Sequence, residues 1–212
     1  MEPLSFAIGI AVVILSIIFH EVAHGYVANW LGDPTAKYAG RLTLNPIPHI
    51  DPIGSIAIPG ILALTGSPFL IGWAKPVPYN PYNLRHGKWG EGLVAFSGPL
   101  TNVIIAIIAG LLLRFSAELG LPALMMGVLV TAVYANLVLA IFNLIPIPPL
   151  DGSKVLRAFL PLSLARGYDR LEGMAYALGP FGLLAVGLVA IYLLWPVLSI
   201  LVQWGFLLLV GA

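Results

Sequence analysis

The sequence predicts an α-helical polytopic membrane protein, with about five spanning helices and a short β-rich or re-entrant segment after the first. Three observations carry this. Only 9% of the 212 residues are charged, against about 25% in an ordinary soluble domain. Hydrophobic residues make up 59% and the mean hydropathy is +0.98, more apolar surface than a soluble chain of this size could hide. The apolar residues are gathered into runs of about 20, the length a bilayer demands.

The first run covers residues 4–31, and only Glu2 among charged residues precedes it. A cleavable signal peptide carries a basic leading region, so this run is expected to be an uncleaved span that serves as its own targeting signal. The second run covers 92–115 and the third 122–144. The last apolar stretch, 175–210, is too long for one span and contains Trp195-Pro196. Proline removes a helical donor and clashes with the preceding turn. The stretch is therefore expected to divide into spans at 175–194 and 196–210.

Two connecting stretches do not span. Residues 32–91 hold Asn45-Pro46-Ile47-Pro48, Asp51-Pro52, Pro59-Gly60, Lys75-Pro76-Val77-Pro78 and Asn80-Pro81. Proline at this density forbids a long helix. Ser55-Ile56-Ala57-Ile58 is a candidate β piece. Residues 60–73 are apolar but too short to cross, as a re-entrant or interfacial segment would be. Residues 146–172 open on a proline-rich elbow and are expected to hold a short helix after Asp151. With no internal repeat and no appended soluble domain, 1–212 is expected to form one membrane-embedded domain.

Charge sets the expected orientation. Lys37, Arg41, Lys75, Arg85 and Lys88 lie in the first loop, and Lys154, Arg157, Arg166 and Arg170 in the second; Arg114 is the exception. In a five-span arrangement both loops share one side, which the positive-inside rule makes cytoplasmic. The N-terminus is then outside and the C-terminus inside. A net charge of +1 argues against a nucleic-acid partner. The absence of cysteine excludes disulfides, thiolate metal sites and cysteine nucleophiles.

Against this apolar background the first span carries His20, Glu21 and His24, in the order His20-Glu21-Val22-Ala23-His24. Ionisable groups in a spanning helix are costly, about 2.5–3.5 kcal/mol each on the mildest scale. Histidines four apart share one helix face and can grip one metal ion, and the intervening glutamate can act as general base. Chance would supply this pattern only roughly 0.002 times in such a chain. Imidazole donors without thiolates favour Zn²⁺, with Fe, Co or Mn also compatible. A catalytic zinc needs a third protein ligand. The candidates are His49, His86 and a carboxylate, of which Asp151 stands out. Its alternative role is to cap the helix expected over Gly152–Leu160. Depth favours the ligand role: His20 lies about 24 Å along the first helix at 1.5 Å per residue, in the cytoplasmic third, and Asp151 follows the cytoplasmic end of the third span.

His20-Glu21-Val22-Ala23-His24, Ser97-Gly98-Pro99-Leu100-Thr101-Asn102 and Asn143-Leu144-Ile145-Pro146-Ile147-Pro148-Pro149-Leu150-Asp151-Gly152 together resemble the site-2 protease family of intramembrane zinc metalloproteases. Residues 41–54 and Gly72-Trp73-Ala74-Lys75-Pro76-Val77-Pro78 are similar to its compact prokaryotic members, which lack PDZ and CBS domains. The resemblance covers about residues 5–160; the last 50 or so match only as hydrophobic helices. It implies a three-helix catalytic core in the cell membrane, with one Zn²⁺ held by His20, His24 and Asp151. It implies Glu21 as general base, Asn143 as a group stabilising the substrate carbonyl or oxyanion, and Asn102 with Gly98 facing the substrate. The substrate implied is a transmembrane helix, cut near the cytoplasmic face. For Asn143 a structural alternative is an amide satisfying backbone freed by Pro146, and for Asn102 interhelical contact. His49 and Asp51 could support a zinc-bound imidazole or form turns. Lys75 beside Trp73 reads as an interfacial anchor, and His86 as exposed loop. A substrate unwound for cleavage could pair with extended pieces between residues 40 and 60. Competing readings are a metal-ion transporter and a scaffold that binds spanning helices without cutting them.

Overall fold

The computed structural model describes residues 3–65, 72–177 and 179–211. All of its regular elements are helical: α1 (Pro3–Trp30), α2 (Thr35–Tyr38), α3 (Ile58–Leu64), α4 (Lys88–Arg114), α5 (Ala123–Asn143), α6 (Asp151–Phe159), α7 (Leu162–Ala177) and α8 (Gly179–Val210). Among the described residues, four helical segments are long and apolar enough to cross a membrane: Phe6–Trp30, Lys88–Arg114, Ala123–Asn143 and Tyr192–Val210.

The expected fifth span is not formed. α8 continues through Pro196 without a break. In an apolar environment a helix tolerates an internal proline where neighbours and local adjustment accommodate the freed carbonyl, so Pro196 does not reverse the chain. The expected β piece is also absent: no strand occurs among the described residues. Ser55–Ala57 lies in a wide π-helical turn, Pro52–Ala57, that runs straight into α3. Asp51 starts this turn by accepting from Ile53 N and Gly54 N (3.0 and 2.7 Å), and Pro52 stands at the first helical position, where its missing donor is harmless. The apolar helix from Pro52 to Leu62 is too short to cross; of the stretch 60–73, expected to be re-entrant or interfacial, residues 66–71 lie outside the described residues. No strand is formed between residues 40 and 60 in the free protein.

α4 is the central element, packing on α1, α5, α6 and α8. Ala106, Ala109 and Leu113 of α4 meet Leu129, Val133 and Leu137 of α5 and Val202 of α8 in one buried cluster. Small residues set the approach of α8. A Cβ at Gly110 would lie 2.7 Å from the Leu209 side chain, and one at Gly205 3.3 Å from that of Leu137. Close packing through small residues is how apolar helices associate without a hydrophobic driving force.

Gly211, the last described residue, lies at the end of the bundle remote from the two loops. At one end, Arg85 N donates to Leu31 O (2.9 Å), joining the end of α1 to the start of α4, and α6 packs on the first turns of α4, where a Cβ at Gly92 would meet Ala158. At the other end, a Cβ at Gly211 would lie 2.9 Å from the Arg114 guanidinium carbon. Gly211 is therefore opposite the loops, not beside them as five spans would require.

Candidate metal centre

The metal-binding group sits where α1, α4 and α6 meet. His20 and His24 are buried on the face of α1 that turns to α4, 6% and 8% exposed. Asp151 is the first residue of α6, not its cap; the capping position is held by Leu150. His20 Nε2 and His24 Nε2 are 3.0 Å apart, and Asp151 Oδ2 lies 3.1 Å from the first and 3.3 Å from the second. The ligand atoms of all three residues fall within 4.8 Å of one another.

Local sequence explains this closeness. Gly98 of α4 lies directly over both rings: a Cβ there would be 2.5 Å from His24 Cε1 and Nε2 and 2.7 Å from His20 Cε1. Gly152 is pressed onto the Leu144 and Ile145 carbonyls, with no room for a Cβ, so the Asp-Gly pair lets the elbow fold back and deliver Asp151. Pro99 lies inside α4, and a proline disrupts the turn before it. In that turn the Val94 carbonyl accepts from His24 Nδ1 (2.7 Å) and from Ser97 Oγ (2.6 Å).

The donor set fits a zinc ion. Each imidazole has its Nδ1 engaged, His24 with Val94 O and His20 with Asn102 Oδ1 (2.6 Å), so each Nε2 lone pair points at the common centre. Asp151 Oδ2 is buried and has no hydrogen-bond partner, an orphaned acceptor that a cation would satisfy. Two imidazole nitrogens and a carboxylate oxygen make a borderline-soft site that leaves a coordination position open.

The other expected residues are placed as follows. Glu21 stands at the edge of the group with Oε2 accepting from Val77 N (2.7 Å). Asn143 closes α5 and donates from Nδ2 to Leu139 O in its own helix (2.9 Å), not to the carbonyl that Pro146 leaves free. Asn102 is fully buried behind His20, so it does not present its amide to a substrate, and Gly98 abuts the two imidazoles. His49 is buried and bonds Thr43 O through Nε2 (2.9 Å); Asp51 takes its turn-forming role. Lys75 is held by its backbone, its carbonyl accepting from the buried Arg41 Nη2 (2.6 Å) and its N–H donating to His49 O (2.9 Å). His86 is exposed, with φ 67°.

Sequence reasoning missed Ser16, Asn136 and the Val77 N–H. A polar residue inside a spanning run is a signal in itself, and Asn136 carried it. Ser16 lies four residues before His20 on the same helix face. The Val77 contact joins residues 56 apart and had no local signal.

Apolar helices of spanning length, with two histidines and an aspartate gathered where α1, α4 and α6 meet, define a membrane protein built to hold a metal. The sequence profile of Peptidase family M50 matches residues 122–186. The chain is 36% identical over 194 residues to "Putative zinc metalloprotease YwhC" of Bacillus subtilis, covering 88% of this chain and 83% of that protein. It is 27% identical to "Putative zinc metalloprotease Rip2" of Mycolicibacterium smegmatis, over 76% of this chain and 61% of the relative. It is 30% identical to "Zinc metalloprotease MJ0392" of Methanocaldococcus jannaschii, over 84% and 43%. No solved structure matches the chain significantly. The chain belongs to Peptidase family M50, the site-2 protease family of zinc metalloproteases.

Proposed function

We propose that this protein is an intramembrane zinc endopeptidase that hydrolyses peptide bonds in the transmembrane segments of other membrane proteins, close to the cytoplasmic face. The observation that carries the reading is the convergence of His20, His24 and Asp151 within 4.8 Å, with Glu21 next in the chain to His20. His20, His24 and Asp151 would hold the metal. A bound zinc supplies Lewis-acid polarisation of a peptide carbonyl and acidification of water.

Glu21 takes a proton from the attacking water and passes it to the departing amine nitrogen. Its Oε2 is fixed by Val77 N, which leaves Oε1 as the oxygen to carry the proton. Asn143, at the end of α5 and eight residues before Asp151, stabilises charge on the substrate oxygen once its amide turns from Leu139 O. Gly98 lets α4 close over the two histidines and so helps fix them for the metal. A helical carbonyl is hydrogen-bonded and enclosed, so the substrate must open locally and water must reach the site by a polar path. Nine of the ten basic residues lie in the loops at the site's end of the bundle, which supports a cytoplasmic position for that end.

The test is cleavage of model single-span substrates by purified protein, wild type against Glu21→Gln, with zinc measured on both. The expected result is about one zinc per chain in each and cleavage by wild type alone. Equal cleavage by Glu21→Gln would refute the assignment of the base. Bound zinc without cleavage across a broad substrate panel would refute the peptidase.

A further inference from the structure

The two histidines are not held alike. His24 Nδ1 faces the carbonyl of Val94. A carbonyl only accepts, so the proton of His24 sits on Nδ1 and Nε2 keeps its lone pair. His20 Nδ1 faces a side-chain amide, that of Asn102. An amide presents an acceptor on one edge and a donor on the other. With Asn102 turned round, Nδ1 of His20 would have to accept, and Nε2 would carry the proton and be closed to a metal.

The polar groups behind Asn102 determine which way it points. Asn102 Nδ2 donates to Asn136 Oδ1 (2.7 Å) and to Ser16 O (3.3 Å). Asn136 Nδ2 donates to Ala132 O and to Ser16 Oγ, each at 2.8 Å. The Ser16 hydroxyl donates its one proton to Val12 O (2.8 Å), so its oxygen accepts from Asn136. The chain thus ends on three backbone carbonyls, none of which can donate. Turning Asn136 would set its oxygen against Ala132 O; turning Asn102 would set its oxygen against Ser16 O and Asn136 Oδ1. Both amides are fully buried and Ser16 is 4% exposed, so solvent does not relieve such clashes.

We propose that Asn136 and Ser16 are positioning residues for the metal centre: acting through Asn102, they hold the proton of His20 on Nδ1 and keep Nε2 open to the metal ion. The inference rests on His20 being a metal ligand, as read above. It gives a reason for an asparagine in the otherwise apolar middle of α5.

The test is the rate at which zinc leaves the purified, zinc-loaded protein for an excess of chelator. Asn136→Leu is expected to speed this loss by about tenfold, the lower end of what lost outer-shell support does to metal sites. Asn136→Ser is a second variant that keeps a hydroxyl for its own helix, as Ser16 and Thr131 do, yet is too short to reach Asn102; it is expected to act alike. The decisive arm repeats Asn136→Leu on an Asn102→Asp background. A carboxylate accepts from His20 Nδ1 with either oxygen, so the proton stays on Nδ1 without Asn136; the other oxygen faces Ser16 O and Asn136 Oδ1, a clash that removing Asn136 eases, so the second change is expected to add less than about twofold. Wild-type zinc loss in both position-136 variants would overturn the proposal. So would equal acceleration on the two backgrounds, which would mark a merely structural role. His20→Ala separates the premises: zinc held there as tightly as in wild type would refute the metal-site reading, and the proposal with it.

Discussion

Gly98 shows how little room the metal centre leaves. Its missing side chain is what lets α4 lie over both imidazoles, whose Nδ1 atoms are each already tied to α4. Gly98→Ala must push one ring aside or separate α1 from α4. It is expected to lower the zinc content of purified protein well below that of wild type, while circular dichroism still reports a helical chain. Asp33 makes a different demand. It is fully buried just after α1 and accepts from Thr35 Oγ1 (2.5 Å), Asn80 N (2.6 Å) and Asn83 Nδ2 (3.0 Å). Burial raises its pKa, but these bonds more than offset that and hold it below the ordinary value. A carboxyl with a depressed folded pKa contributes stability that is complete above its unfolded pKa, about 3.9, and fades as the pH falls towards the folded value. Asp33→Asn is therefore expected to lower the thermal midpoint by a constant amount from about pH 5 to 8. The loss corresponds to about 1.5–3 kcal/mol, the size of a hydrogen bond to a charged group. The gap from wild type should narrow below about pH 4; a gap that widens there would reverse the assignment.

The extended segment from Gly72 to Asn80 is fastened along its length. Trp73 N donates to Gly54 O (3.1 Å), Lys75 bonds His49 and Arg41, Val77 N donates to Glu21, and Asn80 N donates to Asp33. Its proline spacing leaves Val77 with the N–H that reaches the glutamate, between Pro76 and Pro78. Val77→Pro removes that donor and is expected to reduce cleavage by about tenfold, as loss of a hydrogen bond to a charged group would, with zinc content unchanged. Val77→Ala keeps the donor and should lose less; full activity in Val77→Pro would show that Glu21 needs no such anchor. Nothing local in the sequence joins Val77 to Glu21, so this strap was not legible there. The spans were: residues 92–115 and 122–144 were expected and Lys88–Arg114 and Ala123–Asn143 are found, because uninterrupted apolar runs have few alternatives. The group of His20, His24 and Asp151 was legible for the converse reason, being ionisable residues in or beside apolar helices. The Ser55 region was misread although its signal was present, since Asp51-Pro52 is a helix start, a capping carboxylate followed by proline.

Pro196 was misread because a rule for helices in water was applied to one in an apolar environment, and the consequence reaches the topology of the whole chain. With α8 unbroken, the helices able to cross number four among the described residues, and an even number of crossings would return the C-terminus to the side of the N-terminus. The contacts agree, since Gly211 lies against Arg114, the one basic residue that the loops do not contain. With the loops on the cytoplasmic side, as proposed from the charge bias, both termini are expected outside. The absence of cysteine makes this directly measurable, because a single introduced cysteine has no background. Residues 86 and 120 are exposed and lie in the connections before α4 and before α5. His86→Cys is expected to react with a membrane-impermeant maleimide only after the cytoplasmic face is opened. Gly120→Cys, and a cysteine appended after the last residue, should react in intact cells. An appended cysteine shielded until the membrane is opened would restore a fifth crossing and require α8 to bend back at Pro196. A His86→Cys that reacts in intact cells would invert the protein and put the metal centre at the outer face.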